Sequence, residues 1–141
     1  MTNKKTYIYF ALKGGDFNPR EFSEIFELDA TYAIKKGEKG RYIAKSKYSI
    51  WQYGTPKLAN DSDLYDHVLD LTNTLFPKID EINKFKEKYD LHSVLQFVLE
   101  IDFNEELNTP ALGLDEKTIE FLYKTKTVVD VDMYRDDSTK M

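Results

Sequence analysis

The sequence predicts an α+β domain in which two β-α-β halves flank a long kinked helical segment, as in a ferredoxin-like repeat. A strand-like run followed by a helix-like run occurs near both ends of the chain. In both places the tripeptide Asp-Phe-Asn lies between strand and helix, at residues 16–18 and 102–104. Apolar residues recur at helical spacing through the middle third and are interrupted at Pro77. We therefore expect one sheet with helices mainly on one face.

Size and composition narrow the classes of protein that this chain can represent. Its 141 residues, 41% of them hydrophobic, suit a single domain over 1–141, with frayed ends at 1–6 and 135–141. The absence of cysteine excludes disulfides, thiolate nucleophiles and cysteine-bound metals. No run approaches the ~20 apolar residues of a membrane span, and the start lacks the apolar core of a secretory signal. These features predict a cytoplasmic protein without a membrane partner.

The first half is expected to begin with a strand over 7–12, an aromatic run that two glycines end. Asn18 then suits a helix cap and Pro19 the first helical position. The apolar face of that helix is predicted to contain Phe22, Ile25 and Phe26.

A second strand is expected at 48–53, after an irregular stretch over 29–47. Residues 41–44 are its predicted hairpin partner. Trp51, the single tryptophan, is expected in the core, and recognition of a partner is the alternative.

The remaining elements follow clearer patterns. The run Asp-Ser-Asp at 61–63 caps a helix, which Pro77 ends or kinks unless it begins the next helix. A strict alternation over 92–103 predicts a strand with one apolar face. Asp115 caps another helix, and 128–134 form the last strand. The inner face of the last helix is predicted to contain Thr118, Ile119, Leu122 and Phe121.

Helices on one face would leave the other face of the sheet bare. By alternation, that face carries aromatic rings and carboxylates, including Tyr7, Tyr9, Asp130, Asp132 and Tyr134. Such a face is suited to a protein partner or to a second copy of the chain. Rings on an open sheet also occur in readers of single-stranded RNA, but the carboxylates here would repel phosphate. The pattern therefore argues against nucleic acid.

Asp130 and Asp132 point the same way and have three interpretations. They could help to hold Mg²⁺ or Ca²⁺, act as an acid/base pair, or form an ordinary polar outer face. A divalent site needs further ligands, and in a ferredoxin-like order the first strand would separate Glu100 and Asp102 from the last strand. No metal or cofactor is therefore predicted.

A basic segment over 35–47 contrasts with the acidic chain. It has six Lys or Arg residues against Glu38, whereas the whole chain carries a net charge of −5. Lys35, Lys36 and Arg41 are candidates for binding phosphate or an acidic partner. The alternative is a solvated loop hinged at its two glycines.

Sequence motifs of enzymes are missing from the chain. It has no nucleophile elbow, phosphate-binding loop, zinc-protease motif or dinucleotide glycine pattern. The leading hypothesis is a non-enzymatic protein-interaction module of the immunity or inhibitor kind, or a homo-oligomer. The alternative is a small-molecule or metal-dependent enzyme that uses Asp130, Asp132 and Tyr134.

Three landmarks carry a family resemblance: Asp-Phe-Asn-Pro at 16–19, the strand around Trp51, and Asp-Val-Asp-Met-Tyr at 130–134. With these landmarks the chain resembles, from Tyr7 to Tyr134, the bacterial domain-of-unknown-function family numbered four-two-seven-nine. The resemblance implies a small cytosolic protein of a bacterium or phage. It implies no activity and no catalytic residue.

Overall fold

A mixed five-stranded sheet is the centre of the structure, a computed structural model that describes residues 6–40, 44–58, 63–102 and 112–136. Within those residues the strands are β1 (Tyr7–Gly14), β2 (Tyr32–Ile34), β3 (Ser49–Gly54), β4 (His92–Asp102) and β5 (Val128–Asp136). Their order in the sheet is β2-β3-β1-β4-β5. All neighbours pair antiparallel except β4 and β5, which are parallel.

The α-helices of the described residues are α1 (Pro19–Phe26), α2 (Leu64–Leu75), α3 (Ile79–Tyr89) and α4 (Glu116–Thr125). A 3₁₀ turn over Phe76–Lys78 separates α2 from α3, which confirms the predicted break at the proline. The predicted caps are also confirmed. Side chains that accept a backbone N–H at a helix start belong to Asn18, Asp63 and Asp115.

The ferredoxin-like repeat is not confirmed. The second half is a β-α-β unit, because α4 joins the parallel strands β4 and β5. In the first half, β1 and β3 are antiparallel and α1 leads into β2 instead. The hairpin partner of β3 is β2. The sequence predicted residues 41–44 as that partner, and residues 41–43 lie outside the described residues. With only three residues, β2 is too short to produce a readable alternation.

The core lies between the sheet and the helices. Phe10 of β1 meets Phe121 of α4 edge to face at 5.5 Å, and Trp51 of β3 meets Phe26 of α1 in the same way at 5.0 Å. The indole N–H of Trp51 donates to the Ser23 hydroxyl at 3.0 Å, and the ring is fully buried. The core interpretation of Trp51 is therefore confirmed.

Two predicted inner-face residues lie outside this core. Ile25 of α1 is 50% exposed and Ile119 of α4 is 54% exposed. The aromatic residues beside them take the buried stripe of each helix, because Phe26 is fully buried and Phe121 is 3% exposed.

The ends of the described chain are more ordered than the sequence predicts. Thr6 is buried and forms an isolated bridge with Leu58, and β5 includes Arg135 and Asp136. Residues 1–5 and 137–141 lie outside the described residues. Among the helices in the described ranges, none has both the length and the apolar character that crossing a membrane requires.

Candidate interaction surface

The register of the sheet places the predicted tyrosines and aspartates on one face. Tyr9 is opposite Gln96 on β4, and Gln96 is opposite Asp130 on β5. Two residues further along β4, Val98 lies opposite Tyr7 on one side and opposite Asp132 on the other. Because directly paired residues project to the same side, these side chains share the face that lies away from the core.

Tyr134 extends the same row, since its register partner on β4 is Glu100. The rings of Tyr7 and Tyr9 stack with centroids 6.0 Å apart. Burial raises the pKa of the Tyr9 phenol, and Tyr7, Asp132, Asp130 and Tyr134 raise it further in that order. The structure therefore brings together Tyr7, Tyr9, Asp130, Asp132 and Tyr134, which we call the tyrosine–aspartate face.

Exposure across this face is uneven, which corrects the expectation of a bare sheet. The β4 side chains at its centre are buried, with 6% of Gln96, 4% of Val98 and 1% of Glu100 exposed. The tyrosines of β1 are half-buried, whereas Asp130, Asp132 and Tyr134 of β5 are exposed. In the sheet, β4 lies between β1 and β5. The exposed part of this face is therefore the β5 side.

β5 forms one edge of the sheet and is exposed on both faces. On the side of the helices, Val129 is 41% exposed and Met133 is 63% exposed. The opposite edge is the three-residue strand β2. Sequence reasoning found the alternation of β5 but missed that β4 is its neighbour, because strand order is not encoded in periodicity.

The basic candidates lie apart from the tyrosine–aspartate face. The Lys35 ammonium forms an ion pair with Asp16 at 2.7 Å, and this contact lowers the pKa of the Asp16 carboxyl. The backbone N–H of Lys36 donates to the Ser49 hydroxyl at 2.9 Å. These contacts lie near the carboxyl end of β1, opposite the end that carries Tyr7. Arg41 lies outside the described residues.

Metal binding gains no support at the two aspartates. Over the described ranges, no group of three or more acidic or histidine side chains is arranged to hold a metal ion. The expectation that β1 separates β4 from β5 is wrong, because these strands pair directly. Even so, Glu100 of β4 is buried next to Tyr134 rather than joined to the aspartates in such a group.

The model of a family described as a domain of unknown function (DUF4279) matches residues 4–136. The chain belongs to the DUF4279 family. The match covers every strand and helix described above, and the resemblance predicted from the sequence is confirmed. No curated protein and no solved structure matches the chain.

A groove of about 670 Å³ in this DUF4279 domain extends along β2 and β3 from the tyrosine–aspartate face. Tyr7 belongs to both the tyrosine–aspartate face and the groove. The other walls of the groove include Tyr32, Ile50, Gln52 and Lys57. Sequence reasoning missed this groove because one wall belongs to β2, which has no periodicity that reveals it. The groove thus continues the aromatic surface from Tyr7 toward Tyr32.

Proposed function

We propose that this DUF4279 chain is a non-enzymatic protein-interaction module whose tyrosine–aspartate face binds a basic protein partner. The observation that carries the proposal is the clustering of stacked Tyr7 and Tyr9 beside the exposed carboxylates of Asp130 and Asp132. The role resembles that of an immunity or inhibitor protein acting in the cytoplasm of a bacterium or phage-infected cell.

The chemistry of the cluster supports a protein as the ligand. Tyrosine offers a large amphipathic contact area with only two side-chain torsions to restrict, and it is enriched at protein interfaces. The aspartates make the surface negatively charged, which selects positively charged partners and speeds their association. The net charge of −5 acts in the same direction at longer range.

Contact between two copies through the same face is the main alternative. Such a contact would bring the carboxylates of one copy toward those of the other, and like charges at an interface oppose association. Light scattering of the purified chain over a range of concentrations separates the two cases. A concentration-dependent dimer that Asp130→Lys/Asp132→Lys disrupts would contradict the proposal of a different partner.

Site-specific crosslinking tests the proposal directly. A photoreactive phenylalanine analogue at position 134 is compared with the same analogue at position 123 on α4, where the native tyrosine is 82% exposed. In cells that encode the chain, we expect an adduct with one basic protein from position 134 only, and we expect its loss in Asp130→Lys/Asp132→Lys. Equal capture at both positions, or an adduct that survives charge reversal, would contradict the proposal.

A further inference from the structure

We infer that β5 binds its partner by strand addition, taking an extended segment in which Lys or Arg alternates with aliphatic residues. This inference rests on the proposed function and specifies its geometry. Within the described residues, β5 pairs only with β4. The segment of β5 that carries the inference, Val128–Tyr134, contains no proline. The outer edge of such a strand presents alternate N–H and C=O groups, which an incoming strand can pair with.

The side chains of β5 determine the pattern of the incoming strand. On one face, Asp130 and Asp132 are exposed; on the other, Val129 and Met133 are exposed. A strand added at this edge continues both faces, because side chains alternate along it with a period of two. Basic side chains then lie opposite the aspartates and aliphatic ones opposite Val129 and Met133, the favourable cross-strand pairs.

The same geometry disfavours a second copy of the chain as the occupant. Two β5 strands paired antiparallel about a two-fold axis must match residues of the same face. If the two-fold axis passes through residue 130 or 132, that aspartate lies opposite the same aspartate of the second copy. If the axis passes through residue 131, Asp130 of each copy lies opposite Asp132 of the other. Like charges directly opposite one another are destabilising. In each of these registers, charge complementarity favours a basic strand over a second copy.

A ten-residue peptide that alternates Lys and Val is the probe for this inference. We expect saturable binding to the full chain, with new protection from hydrogen exchange at those amides of Val128–Tyr134 that point away from β4. We expect at least tenfold weaker binding to Asp130→Asn/Asp132→Asn and no binding of a Glu-Val peptide. The Asn variant keeps the shape of both side chains at exposed positions, so its fold is checked simply by circular dichroism.

Backbone methylation of the peptide separates strand addition from docking on the face. One peptide carries N-methyl groups on its Lys amides and another carries them on its Val amides. Only one edge of an added strand contacts β5, so one methylated peptide should bind and the other should not.

Equal binding of both methylated peptides would overturn strand addition while leaving the proposed function intact. Failure of the Lys-Val peptide to bind would also overturn it. In that case, continued crosslinking from position 134 would show that the interaction module uses another geometry.

Discussion

The ammonium group of Lys86 in α3 donates a hydrogen bond to the hydroxyl of Ser93 in β4 at 2.6 Å. It also donates to the carbonyl groups of Thr125 and Lys126, where α4 ends. One side chain thus joins two helices to the strand that precedes α4, and a cation is favourable at the carboxyl end of a helix. Burial lowers the pKa of Lys86, and nearby Lys126 lowers it further.

The replacement Lys86→Met should lower the free energy of unfolding by about 1–3 kcal/mol, because partly buried carbonyl and hydroxyl groups lose their donor. The matched control is Lys84→Met, an exposed lysine on the same helix, which should change it by less than about 0.5 kcal/mol. Urea unfolding followed by circular dichroism measures both. Equal effects of the two replacements would show that the contacts of Lys86 add nothing to stability.

Gly54 is the last residue of β3 and lies opposite Tyr9 of β1, where it should not tolerate a side chain. A Cβ there would be 2.1 Å from the Ile8 carbonyl oxygen and 2.5 Å from the Tyr9 Cβ. We expect Gly54→Ala to cost about 1–3 kcal/mol through overpacking.

Gly15 provides the control for this prediction, since a Cβ at that position meets no atom within 4 Å. Gly15→Ala should leave the urea midpoint nearly unchanged. If Gly54→Ala were equally neutral, the close approach of β1 and β3 at this point would be wrong.

Sequence patterns predicted best what is determined locally. The three helix caps follow from Asn18, Asp63 and Asp115, whose side chains satisfy backbone N–H groups a few residues away. The faces of β1 and β5 follow from alternation, which is why the members of the tyrosine–aspartate face could be grouped before their strands were placed.

What depends on distant pairing could not be read from the sequence. Nothing in the periodicity of β4 and β5 indicates that they are neighbours, so the repeat placed β1 between them. The burial of Glu100 and Gln96, on the face that alternation predicts to be open, is also not indicated by the sequence pattern. Likewise, Ile119 has the spacing of a core residue, yet Phe121 occupies the core in its place.

The Tyr9 phenol should make stability depend on alkaline pH. Its pKa in the folded chain is raised above the ordinary value of 10.0, so the folded state holds the proton more tightly than the unfolded state. The resulting stabilisation is complete below about pH 10 and is lost as the pH rises through the folded pKa. The Tyr9→Phe variant has no phenol to titrate at this position. The free energy of unfolding of wild type should therefore fall relative to that of the variant above about pH 10.

Urea midpoints of both proteins at about pH 8 and about pH 11 measure this difference. Tyr123→Phe, at a position 82% exposed, removes a phenol from an open site and should follow wild type at both pH values. Parallel behaviour of wild type and Tyr9→Phe at both pH values would contradict the burial of this ring.

Replacing both Asp130 and Asp132 by Asn should separate binding from folding. Both side chains are exposed, so the free energy of unfolding should change by less than about 0.5 kcal/mol. The two carboxylates contribute to the raised pKa of Tyr9, so that pKa should move back toward its ordinary value without reaching it, because burial remains the largest cause. Absorbance titration of the variant, with and without Tyr9→Phe, isolates the Tyr9 transition. An unchanged transition would mean that the aspartates of β5 do not act on the tyrosines of β1, and the tyrosine–aspartate face would then not act as one surface.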